Sequence, residues 1–455
     1  MMTADPSQPI LEQLATFVAN ADIILEPKAH SSVCNALIDT LGCIIAGASS
    51  RVATKAQAAT RGRTGTAPVF GTAHRRAPEA AAFLNGVAGH VLDFDDWESP
   101  GNTHPSAVIF PALLAACEGR VVSGDDIAVA YAAGFEVIAR LGEAMNYDHY
   151  EKGWHATATL GAIGATAAAA RLWGLDTVQC QNAMAIVVSR AAGLTAQFGS
   201  DTKPLQAGFA AESGLIAATL AAHGLTGQAT ALEGDNGYIA LTAHSQSDRL
   251  VKPFENLGAP LALQAYGLTV KAYPSCGYTH RIIDCALALH TRGTVGVENI
   301  THIEIYLPKF HANIMPFKHP QDDAAARFSL PFCAAVALVF GAVAAADFTP
   351  NRWNDPKIKH LIDASDIFPF ALNNPHLNYD ESQPDRVVVT LTDGSVHEAA
   401  VAYPLGAPEN PMTSDQIFEK FRRNVVGLNL PPQTIDNWVH WLETDDILTL
   451  LRSYH

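Results

Sequence analysis

Four short segments concentrate the side chains able to move protons or hold anions. The first runs from Gly89 to Ser106, G-H-V-L-D-F-D-D-W-E-S-P-G-N-T-H-P-S, and crowds three aspartates and two histidines into a stretch broken by Pro100 and Gly101. Asp93 and His104 could meet across such a loop, and a carboxylate beside an imidazole orients the ring and raises its basicity. The competing reading is a solvated acidic loop in which Asp96 or Ser99 caps one helix and Ser106 the next. Aspartate and histidine are also metal ligands, but D-F-D-D lacks the ligand spacing and glycine of a calcium loop. The second segment is Gly153-Trp154-His155, directly ahead of an alanine-rich helix. A helix N-terminus favours the neutral imidazole, which can accept a proton near pH 7. The alternative is a structural histidine satisfied by backbone groups.

The third segment is Thr202-Lys203-Pro204 and the fourth Lys271-Ala272-Tyr273-Pro274-Ser275-Cys276-Gly277-Tyr278-Thr279-His280. Each is expected to place a lysine in a loop ahead of a helix, where an ammonium and free backbone N–H groups suit a carboxylate. A lone lysine is more often solvated. Tyr278, Cys276 and His280 add possible proton donors, and Arg327, in A-A-A-R-F-S-L-P-F, is a further cation ahead of an apolar helix or an ordinary helix-start arginine. The chain contains no G-x-x-x-x-G-K-[ST], no H-E-x-x-H and no G-x-S-x-G. Chemistry by His, Lys, Asp and Tyr side chains, without metal or organic cofactor, is the expectation.

The elements that must position these groups are mostly helical. At 455 residues with 48% hydrophobic and 16% charged residues, the chain has material for a large core and more than one domain, and general disorder is excluded. Val33, Leu37, Leu41 and Ile44 recur at helical spacing within 31–48, and 106–118, 155–173 and 207–223 read as further helices. Gly161, Gly164 and Ala167 to Ala170 are small enough for helices to approach closely. The signal changes near Gln264. Ile303, Ile305 and Leu307 alternate with polar residues as in a half-exposed strand, and 386–392, Asp393-Gly394 and 395–403 read as a hairpin. Helices are expected over 279–290 and 328–346. The fold class is therefore mostly α: a large helical-bundle domain, 1–264 with 404–455, and a smaller α+β domain, 265–403. The tail residues Ile435, Trp438, Val439, Leu442, Ile447, Leu448 and Leu451 have helical spacing and would let the tail pack back on the first domain.

A balance of 29 basic against 45 acidic residues, net −16, with no basic run, argues against nucleic acid and against an anionic membrane surface. An anionic substrate would need a locally cationic pocket. The seven cysteines form no C-x-x-C pair, which argues for a reducing compartment, and the first residues lack a secretory pattern. A cytoplasmic location is expected. The longest apolar run, 331–346, is shorter than the ~20 residues of a membrane span and reads as a buried helix.

Taken together, H-V-L-D-F-D-D…T-H-P-S-A-V-I-F-P-A-L-L-A from His90, G-W-H-A-T-A-T-L-G from Gly153, T-K-P-L-Q-A-G-F-A-A from Thr202, K-A-Y-P-S-C-G-Y-T-H from Lys271, R-F-S-L-P-F from Arg327 and G-A-P-E-N-P-M from Gly406 resemble the MmgE/PrpD family. The blocks cover most of the chain. The resemblance implies a helical domain plus a smaller α+β domain, a homodimer, a site between the domains, small polycarboxylate substrates and no cofactor. It implies 2-methylcitrate dehydration, with iminodisuccinate-type epimerisation or cis-aconitate decarboxylation as alternatives. In the decarboxylase branch the positions matching Asp93, His104, His155, Lys203 and Lys271 line the site. Trp97 stands where that branch has a threonine, and Cys276 and Phe332 where it has a histidine and a tyrosine. On this reading His155 is the base and His104 the opposite acid or base, oriented by Asp93. Lys271 and Lys203 hold developing charge and carboxylates, with Tyr278 and Arg327 as further binding groups.

Overall fold

The computed structural model describes residues 8–243, 252–374 and 378–426. Helices of eight or more residues are numbered here. The first part of the chain forms α1 (Ile10–Asn20), α2 (Pro27–Gly47), α3 (Arg51–Ala59), α4 (Pro78–His90), α5 (Ser106–Ala116), α6 (Gly124–Glu151), α7 (Ala156–Leu172), α8 (Thr177–Val187) and α9 (Thr202–Ala222). Their starts follow from local chemistry. Proline opens α2 and α4, where its missing N–H costs nothing, and Ser123 with Asp126 and Asp176 with Gln179 form reciprocal caps on α6 and α8.

Helix α7 lies at the centre, packed by α5, α6, α8 and α9, and every residue from Ala156 to Ala170 is buried. A side chain on Gly86 of α4 would come within 2.9 Å of the Gly208 backbone of α9. That backbone-to-backbone crossing brings the end of α4, at His90, close to the start of α9, at Lys203. Helix α9 begins five residues earlier than the alanine pattern suggested, so Lys203 sits in its first turn and not in a loop ahead of it.

The second part builds a four-stranded sheet, β1 (Ile300–Pro308), β2 (Ser365–Phe370), β3 (Asp385–Leu391) and β4 (Val396–Val401), in the order β2-β1-β3-β4. Strands β1 and β2 are parallel; the other two pairs are antiparallel. Ile303, Ile305 and Leu307 of β1 and Val387 and Val389 of β3 face α10 (His280–Thr291), α11 (Leu330–Phe340) and α12 (Pro356–Asp363), which cover one side. Strand β2 escapes the sequence reading because S-D-I-F-P-F does not alternate and carries Pro369, a residue tolerated on this edge. The apolar run expected to form one helix to residue 346 stops at Phe340, where Gly341 adopts φ 63°.

The fold is thus mostly α with a smaller α+β part. One hydrophobic core joins α1–α9 to Ile417, Phe418, Phe421 and Val425 of α13 (Ser414–Val425), which packs on α2; a second core gathers Trp97 with residues of 273–399. The helical pattern from Ile435 to Leu451 lies outside the described residues. Among the described residues, α2 and α9 are long and apolar enough to cross a membrane, but most of each is buried inside the fold, and they carry the buried charges Asp39 and Lys203.

Candidate active site

The Gly89–Ser106 loop is not solvated. Asp93, Asp95, Asp96 and Glu98 are all buried. Each finds partners, as buried charge requires. Glu98 accepts from Gly101 N, Thr103 N and Thr103 Oγ1, folding the loop on itself. Asp96 accepts from Ser106 N and, at 2.5 Å, from Ser106 Oγ, and burial pushes its pKa up to about 8. The loop is stitched to the Lys271 segment by paired bonds between Trp97 and Thr269. Lys420 of α13 locks the junction: its buried ammonium lies 2.6 Å from Asp39 and donates to the carbonyls of Phe94 and Lys271.

Asp93 is the electrostatic centre. Its carboxylate accepts from Lys203 Nζ at 2.9 Å and from Lys271 Nζ, which also reaches the Asp93 carbonyl at 3.0 Å. Burial alone would raise its pKa, but Lys203 and Lys271 hold it well below the usual carboxylate range. Lys271 is buried too, and Asp93 more than offsets that burial, keeping it protonated. Asp93 and Asn102 are the two non-glycine residues with positive φ among the described residues, at 51° and 55°. Aspartate and asparagine tolerate this conformation, and strain of this kind collects at functional sites.

The carboxylate touching His104 is Asp95, not Asp93 as the spacing suggested. Asp95 Oδ2 accepts from His90 Nδ1 at 2.8 Å and lies 3.1 Å from His104 Nδ1, whose ring is turned off the line of a good hydrogen bond. His155, at the N-cap of α7, is 2.6 Å from Gln206 Oε1. The amide of Gln206 is oriented by its own bond to the Leu194 carbonyl, so His155 Nδ1 carries the proton and Nε2 keeps its lone pair. Burial lowers the His104 pKa to about 4 despite Asp95, and lowers that of His155 well below the ordinary value, with His90 and Lys203 acting in the same direction. Both imidazoles are neutral near pH 7.

These groups share one cleft with about 430 Å³ of space not filled by protein atoms. Asp93, His104, His155, Lys203, Lys271, Cys276 and Tyr278 line it, and Tyr150, Phe198, Ile314 and Phe328 form an apolar side. Two ammonium groups against one carboxylate leave one positive charge in excess along the lining, in a chain of net charge −16. The cleft therefore suits an organic anion. Ligand-type atoms of His90, Asp95 and His104 lie within 4.8 Å of one another. Yet the Asp95 oxygen is 2.8 and 3.1 Å from the two nitrogens, closer than donors each about 2.0–2.1 Å from a tetrahedral metal would sit. The set is built around the His90–Asp95 hydrogen bond, with His104 Nδ1 close to the same oxygen.

The comparisons with known proteins agree with this architecture. The MmgE/PrpD N-terminal domain model matches residues 12–250 and the MmgE/PrpD C-terminal domain model residues 273–431. The chain belongs to the MmgE/PrpD family. Its relatives include a cis-aconitate decarboxylase of Homo sapiens, 31% identical over 77% of this chain and 73% of the relative. A cis-aconitate decarboxylase-like protein of Aspergillus oryzae is 31% identical over 85% and 84%, and a 2-methylcitrate dehydratase of Cupriavidus necator 24% over 94% and 92%.

Within this MmgE/PrpD cleft, two expectations change. Arg327 does not line it. Its Nη1 donates to the Leu92 and Pro274 carbonyls and its guanidinium lies 4.6 Å from the Phe348 ring, so it braces from behind the two segments that carry Asp93 and Lys271. Burial lowers its pKa to about 10. Phe332 packs on Phe348 in the second core, so of the three departures from the decarboxylase branch only Trp97 and Cys276 reach the cleft. Burial, with help from Asp93, pushes the Cys276 thiol up to about 11, which keeps it protonated. Tyr278 lies at the cleft with its hydroxyl 3.1 and 3.0 Å from the side-chain oxygens of Asn102 and Asn378.

Sequence reasoning missed His90, Asp95, Gln206 and Lys420. The first three stand inside the quoted blocks; Lys420, in an amphipathic helix far along the chain, carried no signal. Gly406 is a further hidden support. Val270 N donates to its carbonyl, its φ is 96°, and an added Cβ would fall 1.8 Å from the Val270 carbonyl. Gly406→Ala is expected to cost at least about 1–2 kcal/mol in urea unfolding, from the left-handed backbone alone, and to lower turnover by shifting Lys271. An unchanged midpoint would contradict this placement.

Proposed function

We propose that this protein is a lyase acting on a small polycarboxylate, and that the reaction is decarboxylation of cis-aconitate or a close analogue. The observation that carries the reading is the convergence of two neutral imidazoles and an Asp93-bridged pair of ammonium groups on one largely buried cleft. Carboxylates of the substrate bind against Lys203 and Lys271, and the carboxylate to be lost lies toward the apolar side of the cleft, where water is scarce. The carbon–carboxylate bond breaks, CO2 leaves, and the electron pair passes into the conjugated chain. The lysines hold the enolate-like charge on the neighbouring carboxylate. A protonated imidazole, His155 or His104, then delivers the proton to carbon and is reprotonated from solvent. The identity to cis-aconitate decarboxylases supports this direction.

A second reading is dehydration of a 2-methylcitrate-like hydroxy acid. Trp97 and Cys276, the two departures from the decarboxylase branch that line the cleft, weigh against decarboxylation and so keep this reading open; it uses His155 as base and His104 as the acid that releases water. A panel of cis-aconitate, citrate, 2-methylcitrate and iminodisuccinate, followed by product NMR and CO2 release, separates the readings. CO2 release from cis-aconitate supports the first. Water loss from a hydroxy acid without CO2 supports the second. Configurational inversion alone, or turnover of none, contradicts both.

The free enzyme holds its imidazoles neutral, whereas proton delivery needs one of them charged. Binding of a multiply charged anion raises the imidazole pKa above its depressed free value, so binding takes up a proton. Between the two pKa values affinity must rise as pH falls, by at most about tenfold per pH unit. Titration calorimetry of cis-aconitate at pH 6.0 to 7.5, in buffers of different ionisation heat, is expected to show about one proton bound per site. Affinity independent of pH with no buffer dependence would contradict it.

A further inference from the structure

His90 lies outside the cleft, buried at the end of α4, yet it touches both cleft histidines. Its ring centroid is 4.6 Å from that of His104, edge to face, and 5.9 Å from that of His155, stacked. Its Nδ1 makes the better hydrogen bond to Asp95 Oδ2, at 2.8 Å, while His104 reaches the same oxygen at 3.1 Å with poorer alignment. Among the described residues the other Asp95 oxygen, His90 Nε2 and His104 Nδ1 make no hydrogen bond of good geometry. One carboxylate oxygen thus faces two imidazoles, and its orientation is decided by the one that does not face substrate.

We propose that His90 is a positioning residue that sets the state of His104 by competing for Asp95: it fixes His104 as the Nδ1–H tautomer with Nε2 toward the cleft, and keeps that imidazole weakly basic. This inference rests on His104 being a proton-transfer group of the reading above, but its test does not need turnover. An ionised carboxylate only accepts, so both facing Nδ1 atoms carry hydrogen. A carboxylate fully engaged with His104 would raise its affinity for a proton; a carboxylate held by His90 does so less. The other charged and titratable groups around the pair are Asp93 and Asp96 on the same loop, His155 on α7, Lys203 on α9, Lys271 on the adjoining segment, and, from α2, the Cys43 thiol and Asp39, which Lys420 neutralises. Lys203 and Lys271 add to the disfavour of imidazolium. Once substrate carboxylates offset the lysines, His104 can charge, which places the proton at the reacting carbon only after binding.

The test uses full-length enzyme with ring-labelled histidine, the His104 signal being assigned by its loss in His104→Asn. In the wild type at pH 7 its shifts are expected to report the Nδ1–H tautomer, with titration far below the ordinary histidine range. In His90→Phe, which keeps a ring but loses the donor, the His104 midpoint is expected to move up by about one pH unit. In His90→Asn, which can donate to Asp95 again, it returns toward wild type. An Nε2–H tautomer in the wild type, or the same His104 midpoint in wild type and His90→Phe, would overturn the proposal. If His90→Phe does not fold, His90→Leu, which also lacks the donor, takes its place, with the same upward shift expected and an unchanged midpoint overturning the proposal. If these spectra behave as expected and no polycarboxylate is turned over, the functional reading fails and the coupling stands.

Discussion

His155→Asn is expected to lower kcat by about 10²- to 10⁴-fold, the range for losing a positioned general acid–base group, with KM and the unfolding midpoint little changed. The expectation of intact folding is specific. His155 occupies the N-cap of α7, where asparagine is among the best residues, and the buried Gln206 amide keeps a polar partner. The ring is held by Gln206 on one side and meets Phe198 edge to face at 5.0 Å, leaving Nε2 without the proton and toward the cleft. Of the other uncharged polar groups in the lining, the Cys276 thiol is kept protonated and the Tyr278 hydroxyl is engaged by two asparagines, so neither stands in for the imidazole, and His104 keeps its own role in the cleft. Steady-state kinetics beside urea unfolding checks the result. A loss of less than tenfold would remove His155 from the chemistry.

Asp93→Asn is expected to act on stability as well as on turnover. Asparagine keeps the shape and the φ of 51°, so the effect isolates the charge. Two buried ammonium groups then face each other with no counter-charge, and breaking such an arrangement costs about 3–5 kcal/mol. The midpoint in urea should fall accordingly. A polycarboxylate ligand supplies the missing charge, so citrate should recover more stability in Asp93→Asn than in the wild type. Equal midpoints for the two proteins would show that one lysine is neutral in the fold, against the geometry described here.

Much of this arrangement was legible in the sequence, and the rest was hidden for definable reasons. Helices α2, α5, α7 and α9 and strands β1, β3 and β4 are legible in the sequence from apolar spacing, small residues and turn signals, whereas α1, α3, α4, α6 and α8 escape that reading. Strand β2 escapes it too, being short, edge-placed and broken by Pro369. Asp93, His104, His155, Lys203 and Lys271 stand out as polar residues in loops or at helix starts, and the fold brings them to one cleft. Which carboxylate orients which imidazole is not a matter of spacing. In this buried loop Asp93, at positive φ, gives its carboxylate to Lys203 and Lys271, while Asp95, two residues on, gives its own to His90 and His104. Arg327 reads as a binding cation because its sequence neighbours are apolar. Only the fold shows that two carbonyls already occupy it. Lys420 is invisible because its three partners come from three distant segments.

The most direct test of the central claim, that the cleft imidazoles handle a hydrogen on carbon next to a carboxylate, is NMR after incubation in deuterated buffer. Wild-type enzyme with the polycarboxylate it turns over should place solvent deuterium on that carbon, in product or recovered substrate. The His104→Asn, His155→Asn double variant should show neither turnover nor exchange. Undiminished turnover or deuterium incorporation by the double variant would contradict the account.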